Sequence, residues 1–71
     1  MADDLLIRLG NRVRKLRKQQ GWTQVVMAEK IGLDRAFIAD VERGKRNISI
    51  RNLNFIAKGF KKSLSQLLSK V

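Results

Sequence analysis

The chain has no cysteine, histidine, proline or tyrosine, a single tryptophan, three phenylalanines, and only six acidic residues among 71. Without cysteine there is no disulfide to supplement a small core, and no thiol count to indicate a redox compartment. Without histidine or cysteine, no metal site built from those ligands can form. With His, Cys and Tyr all missing and the few acids accounted for as helix caps or ion pairs, no catalytic constellation is available. The chain is expected to be no enzyme and to need no cofactor. No proline or low-complexity stretch divides it, so one domain over residues 1–71 is the expectation. No apolar run approaches the roughly 18 residues of a membrane span. Asp3 and Asp4 stand where a signal peptide would be basic, so a cytosolic protein is expected.

What is abundant is positive charge. Sixteen lysines and arginines give a formal net charge of +10. The counterpart of such a surface is a polyanion, either nucleic acid or an anionic membrane face; the bland alternative is a solvated basic surface. A chain of this length buries only about 60% of its unfolded surface, and dimerisation is a natural way to bury more.

The apolar pattern is helical throughout, with no strand-like alternation. Leu6, Leu9, Val13 and Leu16 make one stripe of a first helix over about 4–20, with Arg8, Arg12, Arg14, Lys15 and Lys18 on much of the rest, and Gly21 ends it. Thr23 caps a second helix, 24–31. Trp22 and Met27 have the spacing of a hydrophobic staple, the alternative for Trp22 being base stacking. Asp34 caps a third helix, about 35–43, and Ser49 a fourth, about 50–60, with Ile50, Leu53, Ile56, Ala57 and Phe60 as its core stripe. Ser63 with Gln66 fits a capping box for a fifth, about 64–70.

The stretch GWTQVVMAEKIGLDRAFIADVERG carries the most information. A small residue at Ala28 lets two helices approach closely, and Gly32 supplies the positive φ of a tight turn between them. Met27, Ile31, Leu33, Ile38 and Val41 fill the wedge. Together these define a helix-turn-helix formed by the second and third helices.

On those residues, residues 9–68 resemble the Cro/lambda-repressor-type (Xre family) domain, a compact all-α fold of five helices. The match runs through Leu9–Gly10, Leu16–Arg17, Gly21, Thr23–Gln24, Met27–Ala28, Ile31–Gly32, Ile38, Glu42–Arg43–Gly44 and Leu53…Ile56–Ala57. The run LDRAFIADVERGKRNISIRNL is also similar to the controller proteins of restriction–modification systems. The resemblance implies a transcription regulator that binds double-stranded DNA as a homodimer on a two-fold operator, in the bacterial nucleoid. It implies that the third helix enters the major groove. Arg35 then pairs with guanine O6 and N7, or is merely solvated. Ala36 touches a thymine methyl. Phe37 does the same, packs beside Arg35, or belongs to the core. Asp40 accepts from cytosine or orients Arg35. Gln24, Arg43, Lys45, Arg46, Asn47, Ser49, Arg51 and Asn52 are the implied phosphate contacts, fixing register, each with a bland reading as a solvated polar group. Arg17 and Glu42 are implied to form a partly buried structural ion pair.

Family dimers often use the last two helices. Phe55 lies off its helix's core stripe, on the side of Gly59, which is the pattern of a helix packing against another chain. Phe55, Leu64, Leu67, Leu68 and Val71 are the expected interface. Val25 and Val26 depart from the family by replacing acidic or polar residues, through drift or for a partner. Beyond DNA and a second copy, RNA polymerase and a toxin-like protein are candidate partners. The competing functions are a phage-type repressor and an antitoxin whose DNA binding is autoregulatory. A membrane-active basic first helix leaves the Ala28–Gly32–Ile38 pattern unexplained.

Overall fold

Hydroxyl caps and left-handed glycines set the helix boundaries. The computed structural model describes residues 4–69 and 71, and among these there are five helices and no strand. Helix α1 spans Asp4–Gln19, with Gly21 at φ +74° turning the chain away. Helix α2 is Gln24–Ile31; the Thr23 hydroxyl accepts from Val26 N–H at 3.1 Å, which satisfies one orphan donor of the first turn. Gly32, at φ +83°, closes it with its N–H on the Ala28 carbonyl at 2.8 Å. Helix α3 is Arg35–Glu42. Asp34 holds the extended N-cap backbone, but its carboxylate accepts no cap bond, contrary to expectation. The helix starts instead on the Asp34 carbonyl, which accepts from Ile38 N–H at 3.1 Å.

Helix α4 is Ile50–Gly59, capped by Ser49 through Asn52 N–H, and α5 is Leu64–Leu68. The expected capping box is present at α5: Gln66 N–H donates to the Ser63 hydroxyl at 3.1 Å and Ser63 N–H to the Gln66 side chain at 2.9 Å. The expected end of α5 near Lys70 lies outside the described residues. No described helix is long and apolar enough to cross a membrane.

The core gathers from every helix. Val13, Met27, Ile38, Ile56 and Leu67 are its largest fully buried side chains, with Leu9, Leu16, Val41, Leu53 and Phe60 around them. Helix α1 lies across the end of α3 at Gly10. A Cβ there would stand 2.4 Å from the Val41 carbonyl oxygen, so the contact admits no side chain. Gly59 does the same between α4 and α2, where a Cβ would meet Ile31 Cγ1 at 2.5 Å. Its smallness thus serves this chain's own packing, not the neighbouring copy that the Phe55–Gly59 pairing implied. Trp22 packs on the core and stacks against Phe60, 5.6 Å between ring centroids, with Lys30 Nζ 5.7 Å over its ring. The indole is thereby engaged inside the fold, by Phe60 and Lys30.

Three placements correct the sequence reading. Ile50 is 69% exposed, because the first residue of α4 projects beyond the edge of the core stripe it nominally begins. Leu67 is fully buried within its own chain and belongs to the core, so it has no surface left for a partner. Arg12 is not simply a surface cation: Nε donates to the Leu67 carbonyl and Nη2 to the Gln66 carbonyl, both at 3.0 Å, closing the C-terminal end of α5.

Candidate nucleic-acid interface

With Ile38, Val41 and Glu42 turned into the core, α3 shows its other side to solvent. Arg35 and Ala36 are exposed at its first turn, and Asp40 lies one turn on, half-buried. The glycine-closed turn at Gly32 and the buried face of α3 fix how this helix stands out from the domain.

Phe37 is half-buried against the core, and Arg46 lies over its ring at 4.9 Å. The aromatic face attracts the guanidinium through the ring quadrupole. Phe37 therefore holds a fork of the expected kind, but that of Arg46 and not of Arg35. Asp40 likewise serves other residues than Arg35. It pairs with Arg43 and, at 3.5 Å, with Arg46. Its carboxyl is held below the usual carboxylate range, chiefly by the hydrogen bond from Arg43, with Arg46 adding to it and desolvation opposing. Arg43 and Arg46, with exposed Lys45 and Asn47, form a cationic rim beside α3, drawn together by one carboxylate.

A second rim lies at the start of α4. Arg51 is exposed and Asn52 half-buried, while the Ser49 hydroxyl is occupied as the cap of Asn52 N–H. The first turn still directs N–H groups and the positive helix end outward.

Behind α3 stands the Arg17–Glu42 pair. Arg17 Nε donates to Glu42 Oε2 at 2.6 Å and Nη2 to Oε1 at 3.1 Å, a two-pronged fork. The side chains are 11% and 1% exposed, and Arg14 Nε lies 3.6 Å from the same carboxylate. The third prong, Nη1, donates to the Trp22 carbonyl at 2.8 Å. Arg17's pKa is pushed above its ordinary value, mainly by the Glu42 hydrogen bond and against the effect of burial.

Gln24 is placed differently from a free phosphate donor. Its Nε2 donates to Glu42 Oε1 at 3.1 Å, and its Oε1 accepts from Arg35 Nη1 at 3.2 Å. Neither bond was legible in the sequence, since Gln24 is eighteen residues from Glu42 and eleven from Arg35. The Phe37–Arg46 contact was equally hidden, because it crosses the Gly44 turn.

Of the residues expected at a dimer interface, Phe55 is 47% exposed and Leu64, Leu68 and Val71 are half-buried. Leu68 and Val71 line an apolar groove with Leu5, Leu6, Leu9, Ile48 and Leu53. The contribution of α1 and of Ile48 to this surface was not anticipated; the amphipathic stripe of α1 was assigned wholly to the core. Val25 is exposed on α2, and Val26 at the third position offers no side chain for a capping box, so Thr23 caps without the reciprocal bond. No group of potential metal ligands occurs among the described residues.

The helix-turn-helix family HTH_3 matches residues 13–67. The control protein C.MunI of Mycoplasma sp is 41% identical over 70 residues, covering 97% of this chain and 95% of its own length. Among solved structures, the restriction–modification controller protein C.AhdI of Aeromonas hydrophila superposes with a TM-score of 0.83 at 37% identity, over 87% of this chain and 94% of that one. The controller protein C.Esp1396I, solved as a tetramer in complex with its natural 35 base-pair operator, gives a TM-score of 0.84 at 35% identity, over 96% of this chain and 93% of that one. An arginine-tipped helix set on a glycine turn, braced by a buried Arg–Glu pair and matched over most of its length, makes this chain a member of the HTH_3 helix-turn-helix family, of the Xre/Cro type.

Proposed function

We propose that the chain is a sequence-specific, double-stranded-DNA-binding transcription regulator, a single domain over residues 1–71 that acts as a homodimer on a two-fold operator and controls a restriction–modification locus. One observation carries this reading: the exposed face of α3 begins with Arg35 and Ala36 and is bordered by the Arg43–Asn47 rim and the α4 N-terminus. A helix so bordered enters a major groove while the rims meet the phosphates on either side. Arg35 reads a guanine, Ala36 a thymine methyl, and Arg46, Asn47 and Arg51 fix the register. The net charge of +10 supplies the salt-dependent attraction.

The principal extents of the domain are 31 × 24 × 22 Å. Two copies joined through Phe55, Leu64, Leu68 and Val71 would set their α3 helices about one DNA turn, ~34 Å, apart. The similarity to C.MunI and C.AhdI supports the controller role, and the operator-bound C.Esp1396I tetramer supports assembly on DNA. Selection from a random duplex library at near-physiological salt tests the reading. Recovery of a symmetric site with half-sites one turn or a multiple apart is expected. A pool with no recurring motif would refute it.

A further inference from the structure

Helix α1 carries more positive charge than the fold and the α3 surface use. After Asp4 it holds no acid and six cations. Three of these have duties inside the domain: Arg17 holds Glu42, Arg12 holds the α5 carbonyls, and Arg14 lies 3.6 Å from Glu42. The other three, Arg8, Lys15 and Lys18, are exposed, and among the described residues no carboxylate pairs with any of them. With Asn11 they follow at steps of three, four and three residues, which is one row along a helix. The buried residues Leu9, Gly10, Val13, Leu16 and Arg17 take the opposite side, where Gly10 meets the end of α3. The row therefore faces away from α3, and a duplex lying along α3 leaves it open.

This placement works against the helix. Arg8 with Arg12, Arg12 with Lys15, and Arg14 with Lys18 are like charges three or four residues apart, an arrangement that destabilises. The helix dipole favours only Lys18 of the row, in the last turn. An acid at position 11, three after Arg8 and four before Lys15, would have relieved the repulsion, but asparagine stands there. From Arg8 to Lys18 the row spans ~15 Å, a length over which a DNA duplex carries roughly nine phosphate charges. A lipid surface fits less well, because an interfacial helix inserts its apolar face. That face of α1 is already buried, at Leu9, Val13 and Leu16.

We propose that the Arg8–Lys15–Lys18 row is a second DNA-binding surface, which takes the phosphates of another duplex segment, without sequence preference, while α3 holds the operator. The proposal goes beyond the operator reading and rests on it for the first duplex. DNA is the partner because a chain held by α3 meets further stretches of the same molecule at high effective concentration. Two segments of one locus would thereby be joined through a single domain.

The test binds the full chain to a bead-tethered operator duplex recovered by selection and washes free protein away. A labelled duplex without the operator is then offered at about 50 mM salt, where phosphate contacts are strong. Wild type is expected to retain the label and to release it as salt rises with a log–log slope of about 2.7, or ~0.9 for each of the phosphates neutralised. Arg8→Gln/Lys15→Gln/Lys18→Gln keeps the helix propensity of the three positions. It should retain roughly tenfold less label or lower still, with operator affinity within about threefold and a melting temperature no lower than that of wild type. Lys58→Gln/Lys61→Gln/Lys62→Gln makes the same change of charge elsewhere and should retain the label as wild type does. Full retention by the α1 variant overturns the proposal. Equal loss in both variants overturns it too, by showing diffuse attraction in place of a surface. Capture of phosphatidylserine vesicles through the row, with no capture of duplex, would assign it to membranes and overturn it likewise. A wild type that keeps no tethered operator fails the reading of α3, and the two-duplex proposal falls with it; one that keeps the operator and no label sinks this proposal alone.

Discussion

Replacing Arg17 by methionine tests the internal brace of the domain. The substitution keeps the apolar stem and removes the guanidinium. Glu42 then loses both prongs of the fork, and the Trp22 carbonyl loses its donor. Removing one partner of a buried pair costs about 3–5 kcal/mol, because the other charge is left desolvated and unpaired. The lower end applies here, since Gln24 still donates to Glu42 and Arg14, 3.6 Å away and half in solvent, can move onto it. A loss of about 3 kcal/mol is a large share of the roughly 4–11 kcal/mol expected for a chain of this size. It should lower the melting temperature by about 12–24 °C. The double variant Arg17→Met/Glu42→Leu removes both charges and should recover at least about 2 kcal/mol relative to additivity. Urea denaturation followed by circular dichroism measures Arg17→Met, Glu42→Leu and the double variant at neutral pH. Arg17's raised pKa keeps its guanidinium charged there, and the stabilisation linked to that shift is lost as pH rises through the folded value. A single variant losing under about 1 kcal/mol, or a double variant as unstable as the sum of the singles, would refute the brace.

Other outcomes follow from the same geometry. Arg35→Ala should relax preference at one base pair, whereas Arg46→Ala should weaken all duplexes alike and flatten the salt slope by about 1; equal effects on every sequence would merge the two roles. Asp40→Asn should release Arg43 and Arg46 and steepen the salt dependence of binding, as read by titrations at several salt concentrations. For a carboxyl whose pKa is lowered on folding, the stabilisation is complete above its unfolded value and is lost as pH falls through the folded one. A carboxyl-carbon NMR titration of Asp40 with its midpoint at the ordinary value of 3.8 would count against the Arg43 pairing. Gly10→Ala should destabilise by about 1–3 kcal/mol despite its better helix propensity, since the new methyl meets backbone oxygen. Gly59→Ala meets the Ile31 side chain and no backbone atom and should cost less, so the reverse order in thermal melts would contradict the packing.

The sequence made the helices legible because each boundary carries a local chemical signal: Thr23, Ser49 and Ser63 at starts, Gly21 and Gly32 at ends. The helix-turn-helix was legible because Ala28, Gly32 and Ile38 are constrained by one another at short range. What escaped was either terminal or long-range. Ile50 follows the period of its stripe, yet periodicity does not say where the core stops. Leu67 and Leu68 are neighbours with opposite fates, since α5 is too short for its apolar face to be read from spacing. Glycine at position 59 signals close approach without naming the neighbour, which proved to be α2. At the exposed face of α3 and its rims, residue types were legible and their pairings were not. Asp40 and Phe37 both attend to Arg46, and Arg35 is met by Gln24, through contacts that span two or three elements.

Arg12 has a consequence for the order in which this molecule can come into being. A five-residue helix does not persist in water, because nucleation takes most of what so few bonds return. Helix α5 is held by its capping box, by the burial of Leu67, and by residue 12 gripping carbonyls 54 and 55 positions later. Such distant closure is slow compared with local helix formation and comes late in folding. Leu64, Leu68 and Val71 are therefore arranged only when the last contact has closed. A half-folded chain has no such surface to offer, so any assembly that used it would select for finished copies.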